Sequence, residues 1–325
     1  MMSPADQFPD LDALLAEIEL SGPYASIKEV NRLLSERTSE YNARPQVELG
    51  GLSPNEMTTL LYGDWESHGT LRLNDQLALA DLGESPILLD ARTLLAYVRD
   101  HEPIRETPAR NFPRAVVADL LPLLRMPELR TRRGVLLDIA PKRYTNESDV
   151  YFLTILHFML VVARLLLRRK GLRITVRARD LLADDRAGEL YALLFRTLFR
   201  QIDLRSLDVT GEHPGLQSTI GYSFYKLHLA RREWASAETL ASVAWLESAK
   251  DPPSEWEAAN EDFRHYAFRH RVLDPLVEFG LFERRELPGT NPWLSIVEFR
   301  RAPLFDRFLR FDLHADRPKD PFLMR

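Results

Sequence analysis

The stretch VYFLTILHFMLVVARLLL, Val150 to Leu167, constrains this chain more than any other part of it. Its 18 residues approach the roughly 20 that a helix needs to cross a hydrocarbon core. His157 and Arg164 interrupt it, however, and an arginine deep in lipid costs about 3 kcal/mol or more. No second apolar run of that length offers them shelter. The stretch therefore predicts a helix buried over most of its circumference in a globular core, with Arg164 reaching outward near its end. No membrane partner is expected.

Burying such a helix requires apolar mass around it, and 325 residues with 45% hydrophobic and 28% charged side chains supply enough for two or three compact units. Only 14 glycines, with abundant leucine and arginine, favour helices over sheets. The absence of cysteine excludes disulfides, thiolate metal sites and cysteine nucleophiles. The opening MMSPADQFPDLDALLAEIEL has acidic residues where a signal peptide carries basic ones, so a cytoplasmic location is expected.

Arginine outnumbers lysine 37 to 6, and its distribution is uneven. Residues 125–180 carry a net +8 inside a chain whose remainder carries −13. One basic segment thus sits in an acidic protein, and arginine forks suit phosphate or carboxylate partners.

Two amphipathic helices separated by SGP are predicted over 8–42, and Ser53, Pro54 and Glu56 form a capping box that opens a helix with Met57, Leu60 and Leu61 inward. Residues 85–124 read as helix, short extended piece and a second helix from Pro113. Helical spacing recurs over 186–202, 214–232, 234–248 and 255–279. Strand signals are few: LRITV (172–176), LFERREL (281–287) and LSIVEFR (294–300) around PGTNP, and EPIRET (102–107). The fold class expected is mostly α, with small β-ribbons. The divisions expected are an N-terminal helical segment (1–44), a helical region that could hold a degenerate module of the ribbon-bearing kind (45–147), a ribbon-bearing module with a basic wing (148–202), a helical hairpin (203–254) and a second ribbon-bearing module with a tail (255–325).

Two segments overlay. Helix 150–166 runs into LLLRRKGLRIT, and helix 262–279 runs into GLFERRELPGTNPWLSIVEFRRAPLFDRFL; Thr175 to Leu182 and Ala302 to Leu309 share an offset of seven. The first resembles the wing end of bacterial winged-helix regulators, in which a helix, a hydrophobic step and a basic hairpin lead through an LT-x-x-G turn into the next helix. Ile174-Thr175 occupies the LT place, while a residue near Arg179 replaces the glycine. No polar recognition helix precedes it, and His157 to Leu167 is too apolar to lie in a major groove. The chain also resembles a family of uncharacterised bacterial proteins through PQVELGGLSPNEMTTLLY (45–62), ETPARNFPRAVV (106–117), HFMLVVARLLLRRKGLRITVRARDLL (157–182), EDFRHYAFRHRVLDPLVEFGLFE (261–283) and RRAPLFDRFL (300–309). That resemblance covers about 45–312 and implies winged-helix-like modules without an activity.

No phosphate-binding glycine loop and no nucleophile elbow occur, so no cofactor is expected. Glu261 and His265 share a helical face, but His270 lies about 140° away, which leaves no three-ligand metal set there. Tyr222, Tyr225 and Leu229 fall on one face of a helix that packs against 234–248 more readily than it stacks bases. The basic ribbon residues Arg168, Arg169, Lys170, Arg173, Arg177 and Arg179 are the candidate binding site for nucleic acid or another protein. The expected function is a non-catalytic regulatory or scaffold protein that binds such a partner through winged-helix-like modules. The alternative is an enzyme whose site gathers scattered residues, with His157, His265, Glu261 and Arg269 as its candidates.

Overall fold

The computed structural model describes residues 27–66, 69–83, 85–125, 146–208, 213–246, 262–287 and 296–313. As expected, the protein is mostly α-helical, with short antiparallel ribbons. The helices α1 (Ile27–Ala43) and α2 (Pro54–Tyr62) lead in, and the Ser53 capping box forms as read: Ser53 Oγ accepts from Glu56 N, and Glu56 returns the bond to Ser53 N. A short strand β1 (Leu71–Leu73) and the turn α3 (Leu79–Leu82) follow.

The next elements form a unit. Helix α4 (Pro86–His101) buries Leu88, Ala91, Leu95 and Val98 along one stripe, and Ile104 then forms a single bridge. Helix α5 (Arg114–Leu120), helix α6 (Tyr151–Val162), the ribbon strands β2 (Leu166–Arg168) and β3 (Leu172–Ile174), and helix α7 (Val176–Leu181) complete it. Helix α8 (Ala187–Arg196), ending in one π-helical turn, connects to α9 (Pro214–Ser218).

The same plan then repeats. Helix α10 (Ile220–Leu229) is followed by the two-residue strand β4 (Ala235–Ser236) and helix α11 (Ala237–Ala244). Helix α12 (Asp262–Phe268) passes through a π turn into α13 (Asp274–Glu278). Strands β5 (Phe282–Leu287) and β6 (Ile296–Arg301), helix α14 (Pro303–Phe308) and strand β7 (Leu309–Phe311) end the described chain. In both units the short strand pairs antiparallel with the second ribbon strand: Ile104 with Leu172, and Ala235 with Phe299.

The helix-to-ribbon corner is duplicated bond for bond. Ala163 N donates to Met159 O, Arg164 N to Val161 O and Leu165 N to Leu160 O; Phe279 N donates to Pro275 O, Gly280 N to Val277 O and Leu281 N to Leu276 O. Thr175 N and Ala302 N then close onto Leu165 O and Leu281 O. Each corner turns through a left-handed residue, Arg164 (φ 57°) and Gly280 (φ 73°), which stops a helix and satisfies its last carbonyls. This shortens the helix expected over 150–167: it stops at Val162, and Leu166–Arg168 becomes strand. No helix among the described residues is long and apolar enough to cross a membrane. The hairpin expected over 280–300 forms with Leu287 opposite Ile296, and its PGTNP turn lies outside the described residues.

One hydrophobic core runs through both units. At its centre Phe195 of α8 contacts Trp65, Phe199, Phe224, Phe279 and Phe308 with ring centroids 4.7–6.0 Å apart, mostly tilted or edge-on. Tyr191 Oη donates to Phe279 O at 2.6 Å, and β1 pairs with β7, tying early and late chain together.

Candidate functional site

The first unit brings the basic ribbon and a buried polar cluster side by side. Between β2 and β3 the chain reverses through Arg169, Lys170 and Gly171, with Lys170 at φ 53° and Gly171 at φ 109°. A Cβ on Gly171 would lie 3.0 Å from Pro103 Cβ and 3.1 Å from Ile104 O, so glycine is needed both for the backbone angle and for the close approach of the 102–106 segment. That segment is acidic. Arg168 Nε donates to Glu106 Oε1 at 2.9 Å, and Arg179 pairs with Glu102, whose other oxygen accepts from Ile174 N at 2.9 Å. Arg169, Lys170, Arg173 and Arg177 make no ion pair among the described residues. In the ribbon Leu167 stands opposite Arg173 and is half exposed, and Phe158 of α6 is 46% exposed at the cleft wall.

Behind the ribbon lies His157, only 2% exposed. Its Nδ1 is 2.9 Å from Glu147 Oε1, and Glu147 is itself buried and accepts from Phe112 N through its other oxygen. The Phe112 ring stacks on the imidazole at 4.2 Å and 26°. An ionised carboxylate can only accept, so with Glu147 in that form the nitrogen facing it, His157 Nδ1, is the donor. Nε2 has no hydrogen-bond partner; its nearest carboxylate oxygen, Glu106 Oε1, is 3.7 Å away. The cluster thus runs Glu147, His157, Glu106, Arg168, from the core to the ribbon. A cleft of about 440 Å³ opens onto it, lined by Arg110, Asn111, Tyr151, His157, Phe158 and Arg168 among others. Arg110 enters it from a tight turn at φ 62°, closed by Arg110 N to Thr107 O at 2.8 Å.

The other residues of the enzymatic alternative do not join this cleft. His265 and Arg269 belong to the second unit and line neither it nor a second cavity of about 530 Å³, and Glu261 lies outside the described residues. Arg269 Nε is 3.6 Å from Asp274 Oδ2, which also meets His270 Nδ1 at 2.9 Å. In the second cavity Arg271 makes a buried two-point pair with Asp208, and Arg205 grips Asp203. Burial pushes the Arg200 guanidinium below its ordinary range, with Asp64 opposing the shift. Sequence reasoning singled out His157 but missed Glu147 and Glu106. Arg168 and Glu106 stand 62 positions apart, and no motif joins residues across such a distance.

Residues 83–187, about a third of the chain, match the family model of the Y4jL N-terminal domain. The span holds α4 through α7, and with them the ribbon, the polar cluster and most of the cleft wall. No curated protein and no solved structure matches the chain.

Proposed function

We propose that this chain is a non-catalytic binding protein built on two winged-helix-like units, over 86–181 and 220–308, and that the first unit docks a protein partner. Support for the units comes from their shared order: helix, very short strand, helix, helix, two-stranded ribbon, with the short strand on the ribbon's second member. One observation carries the choice of partner. The helix ahead of the ribbon turns Phe158 outward, and its one basic residue, His157, is buried. Reading base edges takes polar side chains on that helix, whereas an apolar centre suits protein contact.

The ribbon adds a cationic rim. Leu167 and Phe158 supply apolar surface, and Arg169, Lys170 and Arg173 flank Leu167, so the partner surface that fits is acidic with apolar anchors. Arg168 and Arg179 are already engaged by Glu106 and Glu102, which removes two of the six cations from phosphate binding.

The test places a photo-crosslinking amino acid at Leu167 in cells that express the full chain. The expected result is a discrete protein adduct that disappears with Phe158→Asp, and no binding of duplex DNA, single-stranded DNA or RNA at about 50 mM salt. Nucleic-acid binding that weakens steeply toward about 200 mM salt and is lost in the triple variant Arg169→Glu, Lys170→Glu, Arg173→Glu would overturn the protein reading.

A further inference from the structure

We infer that the cleft beside His157 is a binding site for a small oxyanion, a phosphoryl- or carboxylate-bearing molecule, held between Arg110 and the imidazole. The inference rests on the cleft alone and not on the ribbon's partner. The two carboxylates of the cluster are already satisfied: Glu147 accepts from Phe112 N and His157, and Glu106 accepts from Arg168. What remains unmet is positive or polar. Arg110 has no side-chain partner among the described residues, and His157 Nε2, buried with its ring, makes no hydrogen bond, the Glu106 carboxylate that Arg168 holds standing 3.7 Å from it. With Nδ1 committed to Glu147, Nε2 is the nitrogen left for a ligand. Protonated, it donates to a ligand oxygen; neutral, it accepts from a protonated phosphoryl oxygen.

Backbone polarity reinforces the side chains. The cleft wall includes Glu147, Ser148 and Tyr151, so it lies at the N-terminal end of the 12-residue helix α6. That end has no side-chain cap; its first-turn N–H groups and the positive end of the helix dipole favour an anion. A volume of about 440 Å³ falls in the range of metabolite-sized pockets, and Ile155 and Phe158 provide an apolar wall for the rest of such a molecule.

Inorganic phosphate and sulfate are the probes, added to the full chain while the His157 ring nitrogens are followed by long-range nitrogen–proton NMR and binding by calorimetry. Expected are a saturable shift of His157 Nε2 with either anion, and about tenfold weaker binding in Arg110→Gln, whose melting temperature in the absence of anion stays within about 1 °C of the parent because that side chain has no partner to lose. His157→Gln should abolish binding, and a His157→Gln chain that keeps its circular dichroism reads out binding rather than folding. No shift of Nε2 at about 50 mM of either anion, or equal affinity in Arg110→Gln, overturns the proposal.

Discussion

Glu147 is the residue on which the first unit turns. Its buried carboxylate accepts from Phe112 N and from His157 Nδ1, so it fixes the segment before α5 and the ring on α6 at once. Glu147→Ala leaves both donors buried without an acceptor and should destabilise the protein by about 3 kcal/mol in urea unfolding, whereas Glu147→Gln, which keeps one carbonyl oxygen, should cost less. Asp306 plays a comparable part in the second unit, where it meets His228 Nδ1 at 2.9 Å as well as Arg232 and Arg301. Burial pulls its carboxyl upward, but Arg232, Arg301 and His228 together hold it below the ordinary carboxylate range. Such a group stabilises the fold above its unfolded pKa and stops doing so as pH falls through the folded one. The stability gap between the parent and Asp306→Asn should therefore be full at pH 7 and close as pH drops below about 4, a trend that thermal melts across pH will check.

At the scale of elements the two helix-to-ribbon corners form a natural experiment. They share their main-chain hydrogen bonds, but one places arginine and the other glycine in the left-handed position. A side chain there costs about 1 kcal/mol, so Arg164→Gly should raise stability by about that amount and Gly280→Ala should lower it similarly. Arg164 is exposed, so little packing is lost on its removal. Chemical denaturation of the two variants measures both signs, and a fall for Arg164→Gly would mean that the side chain contributes more than the backbone strain it causes. Most ribbon strands were legible in the sequence through LRITV, LFERREL and LSIVEFR, whereas the start of Leu166–Arg168 was read as the end of the helix before it. The ribbons' third partners were less so: EPIRET was flagged as extended, but Ala235-Ser236 was not, because one or two residues are too short to carry a period-two pattern.

Across the whole molecule the aromatic cluster around Phe195 decides cooperativity. Its rings come from the chain near Trp65, from α8 and its π turn, from α10, from the end of α13 and from α14, so both units lean on the same centre. Phe195→Ala should cost about 3–5 kcal/mol. The loss should appear as one earlier transition with unfolding of both units together, which hydrogen exchange on α6 and α13 will report. Separate transitions for the two would mean that the shared core does not couple them.

Local order was written in the sequence because its causes are local. The Ser53–Glu56 capping box spans three residues, the apolar stripe of α4 repeats every three or four, and the apolar run around His157 had to be buried. Each follows from backbone geometry and the cost of exposing hydrocarbon. Tertiary structure alone decided the rest. The apolar run breaks at Arg164 because Leu166–Arg168 gains ladder bonds with Leu172–Ile174, and His157 acquires its meaning from Glu147, Glu106 and Arg168. Those partners meet because three separate elements pack over one core. Electrostatics acts through space, and distance along the chain carries no record of it.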